Sequence, residues 1–188
     1  MAAVAAPQST TGAAAFYGAQ HSVLQQWFNT VDRDHSGRIS CQELQRALQM
    51  GNLNFSLKLV SSLIRMHDAN ANNNLDFQEF CSMQAYLQSL QQTFITCDRS
   101  RTGKLNLQEV QDALRRLGFD LDLQPEGAFY KTCLSFDFNQ EGRIALDSFI
   151  AMCIQLRNAQ KMFNLFDAQR TGRVTLDFNQ FVWSIAQL

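Results

Sequence analysis

An aspartate recurs along this chain at a spacing that fixes nearly everything else: Asp32, Asp68, Asp98, Asp137 and Asp167. The intervals are 36, 30, 39 and 30 residues, so a short gap alternates with a long one, as paired units require. The flanks repeat with the anchors. Four residues before them stand Phe28, Ile64, Phe94, Cys133 and Phe163. Seven residues after them stand Ile39, Leu75, Leu105, Ile144 and Val174, and nine after them Cys41, Phe77, Leu107, Leu146 and Leu176. Residues three and four apart share a helix face, so a helix enters each unit with its apolar face set just before the Asp. A buried aliphatic follows inside the loop, and then a second helix. The chain is therefore read as all-α, with five helix–loop–helix units (about eight helices) in one register.

Composition agrees and removes several classes of function. The 188 residues contain 2 Pro and 15 Phe, which suits a mostly helical protein with a real core. Lys and Arg number 16 against 17 Asp and Glu, and no basic stripe points to nucleic acid. No apolar run approaches the roughly 18 residues of a membrane span. The five cysteines at 41, 81, 97, 133 and 153 form no CxxC pair and are expected to be reduced, mostly buried thiols. Residues 1–19 read as a flexible Ala-rich tail, with 20–188 as the folded domain. The Met1 to Ala15 stretch lacks a basic n-region and a strong apolar core, so it is not read as a signal peptide, and Ala at residue 2 removes the N-myristoylation signal. There is no Gly-rich phosphate loop and no nucleophile motif, so no enzyme is expected. His21, His35 and His67 have no metal-ligand spacing, and Met50, Met66 and Met162 are read as core-packing residues on apolar helical faces.

The loops carry the chemistry. Calcium is a hard cation that takes six to eight oxygens at about 2.3–2.6 Å. A twelve-residue EF-hand loop supplies them from positions 1, 3, 5, 7 (a carbonyl), 9 and a bidentate Glu at 12, with Gly at 6 for the turn. The first loop, 32–43, fits throughout: Asp32, Asp34, Ser36, Arg38 (carbonyl), Ser40 and Glu43, with Gly37 at position 6. The second, 68–79, offers Asp68, Asn70, Asn72, Asn74 (carbonyl), Asp76 and Glu79, but places Asn73 at the Gly position. Asn is among the side chains that best tolerate positive φ, so the turn is expected to form at some cost. The third, 98–109, offers Asp98, Ser100, Thr102, Lys104 (carbonyl), Asn106 and Glu109, with two carboxylates and hence a weaker expected affinity. The fourth, 137–148, has Asp137, Asn139, Glu141 and Gly142 but Ala145 and Ser148 at positions 9 and 12, and is read as structural. The fifth, 167–178, keeps only Asp167 as a charged ligand and puts Phe178 at position 12. Its apolar residues come about two positions late, as if the loop were lengthened, and it too is read as structural.

EF-hands pair through a short strand bridge at the position-8 aliphatics, and five hands leave one unpaired. With the lengthened fifth loop, the long helices shared between hands two and three (about Phe77 to Cys97) and four and five (about Ser148 to Phe166), and the Gly118-Phe119 linker, the chain resembles the penta-EF-hand family. Full loops one and three look most like its apoptosis-linked branch. The resemblance implies that the fifth hand pairs with its counterpart in another subunit, giving a homodimer or a heterodimer with another penta-EF-hand chain. Val174, Phe178, Phe181, Trp183 and Ile185 are the candidates for that interface, with intramolecular packing as the alternative. Relatives often carry a longer Gly- and Pro-rich tail, whereas this one has the single Pro7.

Glu43, Glu79 and Glu109 each begin an exiting helix, so a Glu that swings onto calcium must carry the helix with it. In sensor hands this exposes an apolar groove that takes partner peptides. The expected function is a calcium sensor and adaptor. The resemblance implies Pro-rich or apolar peptide partners; the reduced thiols point to a cytoplasmic location, and apolar surface exposed by calcium to association with membranes. A calcium buffer and a regulatory subunit of a calpain-like protease remain as alternatives.

Overall fold

Each hand begins where an entering helix stops, and the anchor Asp marks the stop. The amides of Asp32, Asp68, Asp98, Asp137 and Asp167 donate the last helical hydrogen bond to the carbonyls of Phe28, Ile64, Phe94, Cys133 and Phe163. The structure is a computed structural model that describes residues 22–119, 121, 127–137 and 141–187. The tail expectation for 1–19, with Pro7, and the fourth-loop Asn139 lie outside the described residues.

The element order follows the repeat. Helix α1 (residues 22–31) enters hand one and α2 (Cys41–Met50) leaves it. Next, α3 (Leu57–His67) enters hand two, and α4 (Phe77–Cys97) leaves it and enters hand three. Strand β1 (Lys104–Asn106) and α5 (Leu107–Arg116) complete hand three. Helix α6 (Ala128–Phe136) and β2 (Arg143–Ala145) form hand four, α7 (Leu146–Phe166) joins it to hand five, and α8 (Phe178–Gln187) ends the described chain.

The two kinds of gap now have separate meanings. Short gaps are shared helices, α4 and α7. Long gaps separate hands that pair side by side through their position-8 residues. Ile39 and Leu75 exchange backbone bonds of 2.8 and 2.9 Å, and Leu105 faces Ile144 in the antiparallel β1–β2 pair. All four side chains are at most 1% exposed. Val174, the fifth equivalent, has no strand partner among the described residues and is half-buried.

The core is continuous from Phe28 to Ile154, with Phe80, Phe129 and Phe149 its largest fully enclosed side chains. Phe28 meets Phe77 and Phe80 edge-on, and Phe94 meets Phe149, so the repeat's own aromatics tie the hand pairs together. Arg157 of α7 stacks on Phe119 at 4.8 Å and donates to the Leu117 carbonyl, which fastens the Gly118-Phe119 linker. All five cysteines are free thiols, with Cys97, Cys133 and Cys153 buried. Burial pushes the Cys133 thiol up to about 12 and raises Cys153 as well. Met50 corrects the core reading: it is 74% exposed at the end of α2, whereas Met66 packs against the core. Among the described residues no helix is long and apolar enough to cross a membrane.

Candidate metal centre

The turn at each anchor is built the same way. Asp32 accepts from the amides of Ser36 and Gly37 at 3.0 and 2.9 Å. Asp68, Asp98, Asp137 and Asp167 accept from the corresponding amides at positions 5 and 6. Position 6 has positive φ in every loop, 75° at Gly37 and 60° at Asn73. Asn73 therefore takes the left-handed turn that its residue type allows.

The closing Glu is equally regular. Glu43 accepts from the Arg33 amide and the Ser40 amide, both at 2.9 Å, and from the Ser40 hydroxyl at 2.6 Å. Glu79 is held by the Ala69 and Asp76 amides, and Glu109 by the Arg99 and Asn106 amides. Ser40, Asp76 and Asn106 cap α2, α4 and α5, and each forms a reciprocal capping box with its Glu. One carboxylate thus ties the end of the entering helix to the start of the exiting one. All three Glu side chains are at most 8% exposed.

The loops differ in how far their donors have converged. In loop one, Asp32, Asp34 and Glu43 offer carboxylate oxygens all within 4.8 Å of one another, the single such acidic group among the described residues. Burial would raise the Glu43 pKa, but hydrogen bonds from Ser40 and Arg33 outweigh it and hold the carboxyl below its ordinary value. The Ser36 side chain and amide lower Asp34 in the same way. Both therefore stay anionic, as metal binding needs. In loop two the Asn70 amide nitrogen donates to Glu79 at 2.9 Å, so an ion there needs that amide turned to present its oxygen. In loop three the Ser100 hydroxyl and the Thr102 amide donate to Asp98, and the Thr102 hydroxyl donates to the Lys104 carbonyl.

The last two hands lack the closing carboxylate. Ala145 gives α7 no side-chain cap, Ser148 stands where the Glu would be, and Glu141 is paired with the Lys104 ammonium of the neighbouring loop. In the fifth hand the reading that closed the loop at 178 is two residues short. Helix α8 starts at Phe178, and the capping exchange is between Asp177 and Gln180 at 3.0 and 2.9 Å. Gln180, not Phe178, sits where the other hands place Glu. The D-x-x-Q spacing was the signal for it.

An EF-hand domain pair model matches residues 22–85. Human sorcin is 30% identical over 176 residues, which span 91% of this chain and 86% of sorcin. The chain belongs to the penta-EF-hand family. Peflin from Danio rerio is 31% identical over 162 residues, 85% of this chain but 58% of peflin, so the chain spans less than two thirds of that relative. The solved structure titled as a homolog of programmed cell death 6 protein from Leishmania major Friedlin is 31% identical, with a TM-score of 0.63 over 87% of this chain and 92% of that one. Calcium is the ion of this family, and the oxygen-only donor sets of loops one to three suit a hard cation. In this penta-EF-hand chain loop one is the most gathered acidic set among the described residues.

Proposed function

We propose that the protein is a calcium sensor and adaptor whose ions are held in loops one, two and three. The ligand set is Asp32, Asp34, Ser36, Arg38 carbonyl, Ser40 and Glu43, with the equivalent positions from Asp68 to Glu79 and from Asp98 to Glu109. The observation that carries this reading is the double attachment of Glu43, Glu79 and Glu109. Each buried carboxylate belongs to the first turn of an exiting helix and bonds the loop's second residue, just past the entering one. An ion that draws on this carboxylate acts on the angle between the helices, which is how a sensor hand opens an apolar surface. A hydrophobic dye titrated with calcium, alongside calorimetry, tests it. Fluorescence is expected to rise as the sites fill. Flat fluorescence during calcium uptake refutes the sensor reading in favour of a buffer.

The same reading makes the molecule two-chained. Phe178 is 77% exposed, and Phe181, Trp183 and Ile185 are each about half exposed. We propose that these residues and Val174 pair with the fifth hand of a second penta-EF-hand chain. Sedimentation of a Phe178→Ser, Phe181→Ser double variant checks this. It is expected to be monomeric where the parent is a dimer, and an unchanged mass sinks the assignment.

A further inference from the structure

Loop two, α7 and α8 enclose a groove of about 450 Å³ that the calcium sites do not account for. Arg65, Asp68 and Asn73 form one wall, Asn158 and Lys161 the other, and Trp183 closes the end. Its charge is uneven. Arg65 and Lys161 come from different helices, both are exposed, and neither forms a salt bridge among the described residues. Arg65 donates instead to the Ser62 hydroxyl at 3.3 Å. The acid in the wall is Asp68, the first residue of loop two.

We infer that this groove binds an acidic peptide segment and that calcium in loop two strengthens the binding. Two cations on separate helices suit two carboxylates along one segment better than a single small anion, since each forms its own charge-assisted bond. Met162, which also lines the groove, offers apolar surface to the residue between them. The gate is electrostatic. Asp68, Asp76 and Glu79 give loop two three negative charges, and a divalent ion leaves one. The repulsion felt by an acidic ligand beside Asp68 falls accordingly, over a distance short enough to escape full screening. This inference rests on the assignment of calcium to loop two made above.

The test uses a short fluorescein-labelled peptide of alternating Glu and Leu, its Gln counterpart, and fluorescence anisotropy on the full chain. In calcium the Glu peptide is expected to bind and the Gln peptide not. Lys161→Glu should weaken binding about tenfold and Arg65→Gln about threefold, as befits exposed charge pairs. Chelating calcium, or Glu79→Gln, should weaken it several-fold. Equal binding of both peptides, or an unchanged affinity in Lys161→Glu, overturns the proposal. So does a Lys161→Glu variant that alters the sedimenting mass but not peptide affinity, because the groove then seats a second copy. A wrong loop-two assignment shows separately, as an unchanged calorimetric calcium count in Glu79→Gln. A wrong groove shows as unchanged peptide affinity in Lys161→Glu while Glu79→Gln still loses a calcium site.

Discussion

Replacing Gly37 by Ala isolates what the position-6 turn contributes. Gly37 has φ 75°, and a Cβ placed on it meets nothing within 4 Å. The substitution therefore adds no clash, and its cost is conformational alone. An L-residue in the left-handed region costs about 1–2 kcal/mol. The stiffer unfolded chain returns about 0.4–1 kcal/mol, leaving a net loss near 1 kcal/mol. Asn should cost less, because Asn73 occupies the same position at φ 60° in loop two. If the strain exists only in the closed loop, Gly37→Ala weakens loop-one calcium binding about fivefold, since 1.4 kcal/mol is about tenfold. Calorimetry and urea unfolding of parent, Gly37→Ala and Gly37→Asn measure both effects. The expected order is Gly, then Asn, then Ala. An Ala variant equal to the Asn variant, or an Ala loss well beyond tenfold, refutes backbone strain as the cause.

Among the closing residues, Glu43→Ala is expected to lower calcium affinity most, because it dismantles the one gathered acidic set among the described residues. Calorimetry finding Glu79→Ala or Glu109→Ala costlier would contradict that ranking. Leu75→Ala removes a side chain with no exposed surface from the bridge between hands one and two, at about 2–5 kcal/mol in urea unfolding. A loss below about 1 kcal/mol would mean the bridge relaxes around the gap. Acid should loosen the fifth loop. Desolvation raises the Asp167 pKa, but the Thr171 and Gly172 amides and the Thr171 hydroxyl together outweigh it and hold the carboxyl below the usual 3.8. A depressed carboxylate stabilises above its unfolded value and loses that contribution as pH falls through the folded one. Trp183, edge-on to Phe166 at 6.1 Å, reports this by fluorescence in a Trp27→Phe background. The transition is expected below pH 3.8 and absent in Asp167→Asn, and a midpoint above 3.8 would refute the assignment.

What was legible in the sequence was what repeats. Anchors, the residues four before them and the position-8 aliphatics locate the core of the first four hands, and Phe77 to Cys97 is one helix to the residue. The start of α7 falls at Leu146 rather than Ser148, because the exiting helix begins after position 9 even where Ala145 cannot cap it. Features of single side chains were not legible. Periodicity puts Met50 on an apolar face but does not say that its side chain is 74% exposed while Leu48 of the same turn is buried. The direction of the Asn70 amide depends on the Glu79 carboxylate beside it, nine residues away. The Lys104–Glu141 pair joins residues 37 apart, and only the β1–β2 register brings them together.

The fifth hand shows how much of a hand's burial comes from its partner. Counted from the helix start, α8 repeats the other exits: Gln180 takes the place of Glu43, and Phe181 the place of Leu44, Phe80, Val110 and Phe149. Those four are at most 1% exposed, while Phe181 is 52% exposed. On the entering side Phe163 is 38% exposed, where Phe28, Ile64, Phe94 and Cys133 are at most 4%. The local design is therefore intact, and the two-residue lengthening moves the capping pair without removing it. What differs is that Ile39, Leu75, Leu105 and Ile144 each have a bridging partner and Val174 has none among the described residues. A hand's apolar positions are half of a core, and the other half arrives through the position-8 bridge. At roughly 25 cal/mol per Å² of apolar surface, leaving several aromatic side chains half wet forfeits a few kcal/mol. A second fifth hand placed across Val174 would recover it, which is why the proposed pairing follows from the burial pattern and not from the exposure of any single residue.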